Sequence, residues 1–231
     1  MKISLIIPCY NEEKSLPILL EKCNFKDKKN DIEIIIVNNG SNDNTKGVLN
    51  ELKKKYTNYI FIDVQKNQGY GHGIISGLDV ATGDILSWTH ADLQTDPKDI
   101  LKGIEIFEKN KKDIFVKGRR IGRPLSDNIF TIGMSIFEII LLRKYMFDIN
   151  AQPTMFSRSF YDKWDKPPRD FSLDLYAYYM ACYNKIEIFR FPVVFGERKY
   201  GISHWNIDLK SKINFIKRTV SFSLKLKKRL K

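Results

Sequence analysis

Short β-rich runs separated by helical patterns constrain this chain more than any other feature. Residues 2–7, 32–37, 59–64, 84–88 and 113–117 read as strands, and the stretches near 12–24, 43–56, 71–81 and 97–109 read as helices. The rhythm is βαβ, which implies an α/β fold with a mainly parallel central sheet flanked by helices. In such sheets ligands bind beyond the carboxyl ends of the strands, so the residues just after each strand are the ones to inspect.

Three polar clusters stand there. Pro8-Cys-Tyr-Asn-Glu-Glu13 follows the first strand, Asn38-Asn-Gly-Ser-Asn-Asp-Asn-Thr45 the second, and Thr89-His-Ala-Asp-Leu-Gln-Thr-Asp-Pro97 the fourth. The second has the chemistry of a strand-to-helix corner, with Gly40 for a positive φ and Ser41 or Asp43 as N-cap.

Hydrophobic residues make up 43% of the 231, enough to fill the core of one large domain, and no Pro/Gly/Ser linker or repeat divides the chain. The net charge of +12 is uneven: residues 206–231 carry nine Lys/Arg against one Asp, leaving only +4 on the first 205. A nearly balanced body with a basic tail argues against a nucleic-acid-binding face. Cys9, Cys23 and Cys182 are far apart and form no Cys-x-x-Cys pair, so a reduced, cytosolic setting is expected and neither a disulfide framework nor a zinc knuckle is supported. The apolar run at the N-terminus is cut by Pro8 too early for a signal peptide. The run Ile129 to Leu142 is apolar but short of the ~20 residues of a membrane span, so it reads as a core or interfacial helix.

Taken in order, the clusters resemble the family 2 glycosyltransferases of the GT-A fold, in particular the polyprenyl-phosphate mannosyl- and glucosyltransferase (dolichol-phosphate mannose synthase-like) branch. Ile6-Ile-Pro-Cys-Tyr-Asn-Glu12 is similar to that family's Pro-x-Tyr-Asn-Glu, Val37-Asn-Asn-Gly-Ser41 to its Val-Asp-Asp-Gly-Ser, and His90-Ala-Asp-Leu-Gln94 to its Asp-Ala-Asp-Leu-Gln. Asn67-Gln-Gly-Tyr-Gly71, Gly118-Arg119, Phe171-Ser-Leu-Asp174 and Arg198-x-x-Gly-x-Ser-His-Trp205 extend the likeness over most of the chain. The resemblance implies a single Rossmann-like GT-A domain at 1–205 and a separate C-terminal helix at 206–231.

It also implies roles. Pro8, Tyr10, Glu12, Asn39, Gly71, Asp92 and Gln94 would bind the nucleotide-sugar donor. Asp92, with His90 in place of the family's first Asp, would hold a divalent metal, Mn²⁺ or Mg²⁺; an imidazole ligates Mn²⁺ more comfortably than Mg²⁺. Asp174 would face the acceptor as general base, with Arg119 and Arg198 steadying the phosphate charge that develops during transfer. Gln152, Ser203, His204 and Trp205 join these arginines around the acceptor or its phosphate, whereas Arg120 and Arg123 read as solvated.

In the tail, Leu209, Ile213, Ile216, Val220 and Leu224 follow helical spacing, widened by Phe215, Phe222 and Leu226, and lysines and arginines take the opposite face. That describes a basic amphipathic helix suited to an anionic membrane surface. The expected function is metal-dependent, inverting sugar transfer from a UDP- or GDP-hexose donor to a lipid-phosphate or lipid-linked acceptor at the cytosolic membrane face, in cell-envelope glycan synthesis. A hydroxyl acceptor on a surface polysaccharide, such as capsule or O-antigen, and a non-catalytic nucleotide-sugar binder are the alternatives. Nucleic acid is not an expected partner, and homo-oligomerisation stays open.

Overall fold

A computed structural model of the chain describes residues 1–25, 27, 29–110, 113–201 and 209–229. Seven strands, β1 (Lys2–Cys9), β2 (Asp31–Asn39), β3 (Ile60–Val64), β4 (Ile85–Trp88), β5 (Ile114–Ile121), β6 (Thr154–Ser157) and β7 (Glu187–Val194), form one sheet in the order β3-β2-β1-β4-β6-β5-β7. All neighbours run parallel except β6, which is antiparallel to both β4 and β5. The helices are α1 (Leu16–Lys22), α2 (Thr45–Lys55), α3 (Tyr70–Leu78), α4 (Ile100–Asn110), α5 (Leu125–Leu142), α6 (Arg158–Tyr161), α7 (Leu173–Tyr183) and α8 (Leu209–Arg229).

Central parallel strands are covered on both faces, which is why β1 and β2 read as unbroken apolar runs. Ile3, Leu5 and Ile7 of β1 pack with Leu16, Leu19 and Leu20 of α1 and Ile100, Ile104 and Phe107 of α4 on one face. Ile6 turns to the other face, with Ile74 and Leu78 of α3 and the nearly all-buried α7. Strands β6 and β7 escape the βαβ reading, β6 because it is four residues long and reversed, β7 because Arg190 and Pro192 interrupt its pattern.

The β2–α2 corner turns at Gly40, whose φ is +68° and where a Cβ would meet the Asn67 nitrogen at 2.3 Å. Asn44 is the N-cap of α2, and Asp43 accepts from the Thr45 N–H at 2.9 Å rather than capping the helix.

α8 packs against α5. Its stripe is divided: Phe222 and Leu226 join the core with α7, while Ile213 and Leu224 stay 41% and 47% exposed among lysines. Between the two helices the fully buried Glu138 of α5 accepts a hydrogen bond from Ser223 of α8 at 2.8 Å, and its second oxygen has no partner. Among the described residues no helix is long and apolar enough to cross a membrane.

Burial pushes the Glu138 carboxyl up to about 7 against the opposing pull of the Ser223 hydrogen bond. A carboxyl whose folded pKa exceeds its unfolded value costs stability as pH rises from the unfolded value through the folded one. Glu138→Gln keeps an acceptor for Ser223 and removes the charge. Thermal melts of parent and variant should coincide near pH 4, separate between pH 4.5 and about 7 and stay apart above it, the variant gaining roughly 3 kcal/mol at pH 8. A difference that stays constant with pH would contradict this account.

Candidate active site

The carboxyl ends of β1, β2, β4 and β5 open into a cavity of about 810 Å³. Because β1 and β2 lie on one side of β4 and β5 lies on the other, the cavity has two compartments joined at the β4 end. Pro8, Tyr10, Glu12, Asn39 and Asn67 line the first. His90, Asp92, Gln94 and Arg198 stand at the junction, and Arg120, Arg123, Ile149 and the inner face of α5 line the second.

In the first compartment Glu12 is 6% exposed, and burial raises its pKa against the opposing effects of Ser15 and Arg198. Its carboxylate accepts from Ser15 Oγ at 2.6 Å and from the Arg198 guanidinium, tying the β1 loop to the loop after β7. The Tyr10 hydroxyl accepts from Asn42 Nδ2 at 3.1 Å. Asn39 donates to the Gly69 carbonyl at 3.0 Å and keeps a buried Oδ1 without a partner.

At the junction Asp92 Oδ1 accepts from the Gln94 N–H at 3.1 Å, while Oδ2 lies 3.9 Å from His90 Nδ1 and 4.0 Å from Arg198. His90 Nε2 is 3.0 Å from the Tyr70 hydroxyl. Burial and the neighbouring Asp174 carboxylate raise the Tyr70 pKa, so its hydroxyl keeps its proton. If His90 Nε2 is the donor to the Tyr70 oxygen, Nδ1 is unprotonated and turned toward Asp92. Burial also lowers the His90 pKa, against the pull of Asp92 and Asp174. A neutral imidazole nitrogen beside a carboxylate oxygen is a fitting pair of donors for a divalent ion. Among the described residues no group of three or more His, Cys, Asp or Glu comes together, so such an ion would complete its shell with a bound diphosphate or water.

At the floor of the cavity, which Tyr70 and Asp174 help to line, lies a buried polar knot. Asp174 at the start of α7 is 1% exposed, and its Oδ1 accepts from Gln152 Nε2 at 2.8 Å, Trp88 Nε1 at 3.3 Å and Lys117 Nζ at 3.3 Å. Burial lowers the Lys117 pKa to about 8, with Asp174 resisting the shift. Tyr70 also stacks on Phe171, with ring centroids 4.8 Å apart.

Several positions differ from the sequence expectation. Arg119 is exposed and away from the cavity, whereas Arg120 lines it. Successive side chains of a strand point to opposite faces, and Arg120 takes the cavity side by pairing with Asp148 at 2.8 and 2.5 Å. Burial would raise the Asp148 pKa, but the Arg120 charge and hydrogen bonds bring it below the ordinary value. Arg123, also expected in solvent, lines the cavity and donates to Thr131 at 2.7 Å. Gln152 lies below the cavity wall and bonds to Asp174 instead of facing an acceptor. Gly71 meets the 168–170 loop: a Cβ there would lie 2.7 Å from the Asp170 carbonyl oxygen, so its role is close packing. Ser203, His204 and Trp205 lie outside the described residues.

Sequence reasoning missed Lys117, Trp88, Tyr70 and Glu138. A lysine inside the apolar run Ile114-Phe-Val-Lys117 was the available signal, because a lysine on a core strand needs an acidic partner.

The chain belongs to glycosyl transferase family 2, whose family profile matches residues 4–164. It is 38% identical over 111 residues to the undecaprenyl-phosphate 4-deoxy-4-formamido-L-arabinose transferase of Proteus mirabilis, covering 47% of this chain and 34% of that one. It is 32% identical over 156 residues to the dolichyl-phosphate beta-glucosyltransferase ALG5D of Trichomonas vaginalis, covering 60% and 48%. The chain thus spans less than half the length of these curated relatives. Its fold is shared with the mannosyltransferase PcManGT of Pyrobaculum calidifontis, solved with GDP-Man and Mn²⁺ (TM-score 0.67, 16% identity, 96% of this chain and 64% of that one). It is shared too with the glucosyl-3-phosphoglycerate synthase of Mycobacterium tuberculosis (TM-score 0.70, 14% identity, 96% and 78%).

Breaking one side of a buried ion pair leaves an uncompensated charge, whereas replacing both partners with apolar groups does not. Lys117→Met and Asp174→Leu should each cost about 3–5 kcal/mol in urea unfolding, and the double variant less than either. Simple additivity of the two losses would show that the pair is not coupled.

Proposed function

We propose that this chain transfers a sugar from a nucleoside-diphosphate donor to the phosphate of a polyprenyl lipid, with a divalent metal held by Asp92 and His90. The observation that carries the reading is the pairing of His90 Nδ1 with Asp92 Oδ2, next to Arg198, between a compartment fit for a nucleoside and one lined by arginines. When bound, the ion would neutralise charge on the leaving diphosphate. Tyr10 offers a ring face to base or ribose, and the unpartnered Asn39 Oδ1 accepts from a donor N–H or O–H.

The state of Asp174 favours a phosphate acceptor over a hydroxyl. A general base needs a free lone pair toward the proton it removes; Asp174 lines the cavity, but its Oδ1 is taken up by Gln152, Trp88 and Lys117, which leaves only Oδ2 for such a role. A phosphate brings its own anionic oxygen and needs no base. That oxygen attacks the anomeric carbon, the bond from that carbon to the diphosphate breaks, and the nucleoside diphosphate leaves with the electron pair, inverting the centre. Asp174 then acts as a positioning residue through Gln152 and Tyr70. Arg120 and Arg123 supply guanidinium groups for the acceptor phosphate, and Phe130, Met134, Ile149 and Leu175 supply apolar wall for its first isoprene units. The similarity to an undecaprenyl-phosphate sugar transferase and a dolichyl-phosphate glucosyltransferase supports this acceptor class. The basic residues of α8 suit a peripheral position on an anionic, cytosol-facing membrane surface.

The test is a panel of UDP- and GDP-hexoses with farnesyl phosphate as acceptor, with Mn²⁺ or Mg²⁺ and after chelation. Asp92→Ala should lower kcat/KM by at least ~10²-fold with the fold intact. His90→Asp should keep activity and shift preference from Mn²⁺ toward Mg²⁺. Full transfer by chelated enzyme, or by Asp92→Ala, would overturn the metal reading.

A further inference from the structure

α8 grips the segment that leads into α7 at two points. Arg218 lies 3.6 Å from Asp170, and Arg229 lies 2.7 Å from Asp165. Arg218, Phe222, Leu226 and Arg229 follow at intervals of four, four and three residues, so one face of the helix carries them all. The two arginines stand about 16 Å apart along the axis. Between them Phe222 and Leu226 pack into the core with α7. Both ion pairs are partly exposed, and such pairs add little to stability. What they do is fix where the 165–171 segment sits.

From that segment a chain of side chains runs to the junction. The Arg218 guanidinium lies 5.3 Å from the centroid of the Phe171 ring, within cation–π range. Phe171 stacks on Tyr70 with the two ring planes 9° apart. Tyr70 meets His90 twice, edge-on with centroids 5.5 Å apart and through its hydroxyl at 3.0 Å from Nε2. Asp170, which Arg218 faces through Oδ2, accepts from the Ser172 N–H at 2.9 Å through Oδ1, at the N-cap of the helix that carries Asp174. The backbone between is pinned to α3, where the His72 N–H donates to the Arg169 carbonyl at 2.8 Å. That bond fixes the main chain and leaves the Phe171 ring to its side-chain contacts. At the other end the grip leads away from the junction: the Asp165 carbonyl accepts from Tyr176 of α7 at 2.9 Å.

We propose that Arg218 is a positioning residue for the junction: by holding Asp170 and the Phe171 ring it keeps Tyr70 seated against His90, and so sets how His90 and Asp92 meet a divalent ion. Groups beyond the ligands of a metal act by orienting those ligands. The consequence for the ion rests on the metal reading of His90 and Asp92, but the placement of His90 is measured without metal.

The experiment compares Arg218→Gln with Arg229→Gln, which breaks the matching pair at the far end of the same helix face. Two readouts are taken on the full chain. One is the imidazole NMR signals of His90 in metal-free protein at fixed pH, assigned with His90→Asp. The other is the calorimetric affinity for UDP and for GDP, with and without Mn²⁺. Arg218→Gln should shift the His90 signals and cut the Mn²⁺ enhancement of nucleotide binding ~10-fold, with melting and metal-free nucleotide affinity unchanged. Arg229→Gln should move neither readout. Coincident His90 signals in parent and Arg218→Gln would overturn the proposal, as would an Mn²⁺ enhancement that Arg218→Gln leaves at the parent's size. Equal effects of the two variants would also overturn it, because the effect would then belong to the seating of α8 as a whole. If Mn²⁺ does not tighten nucleotide binding by the parent while the His90 signals still move in Arg218→Gln and not in Arg229→Gln, the metal reading fails and the positioning of His90 by Arg218 stands.

Discussion

Lys117 and Asp174, both essentially without solvent exposure, meet at 3.3 Å at the floor of the cavity, and the geometry above them depends on that pairing. A lysine on a core strand and an aspartate on a buried helix are each costly alone, and together they are tolerated because each compensates the other's charge. Around Asp174 converge β4 through Trp88, the segment before β6 through Gln152, and α3 through Tyr70. The chain of contacts ends at His90 and Asp92. An imidazole where the family's pattern has a carboxylate remains compatible with a metal site, because the tautomer that donates from Nε2 to Tyr70 would present an unprotonated Nδ1 toward Asp92.

The cavity divides its chemistry by the order of strands. The loops after β1 and β2 form one wall, tied across by the Glu12–Arg198 pair, and β5 and α5 form the other. Antiparallel β6 between β4 and β5 makes this possible. It brings Asp148 and Gln152, from the segment that leads into it, up to the sheet edge, where Asp148 holds Arg120 and Gln152 holds Asp174. The arginines facing the second wall are partly neutralised by Asp148 and Asp127. Added negative charge, such as a phosphate, meets guanidinium groups that are already oriented.

What the sequence made legible follows from what each signal depends on. The βαβ rhythm and the clusters at Pro8, Asn38 and Thr89 are local patterns, and the sheet does gather them on one edge. The Arg119–Arg120 choice is not local: it hangs on a strand register four residues longer than the apolar run suggests, and on Asp148 nearly thirty residues away. Gln152 and Asp174 read as acceptor-facing residues in sequence, and their bond to one another depends on a contact across 22 residues that no local pattern encodes. In the tail, helical spacing is visible in sequence, but the choice between body and solvent for Leu226 and Leu224 is made by α5 and α7, which the spacing does not encode.

The account's central claim is that the donor diphosphate and a divalent ion bind together at Asp92 and His90. Calorimetric titration of the chain with UDP and with GDP, each with and without Mn²⁺, tests this most directly. One of the two nucleotides should bind at least tenfold more tightly with Mn²⁺ than without, and Asp92→Ala should erase that difference while leaving the weaker, metal-free binding in place. Equal affinity with and without Mn²⁺, or an Mn²⁺ enhancement that survives Asp92→Ala, would contradict it.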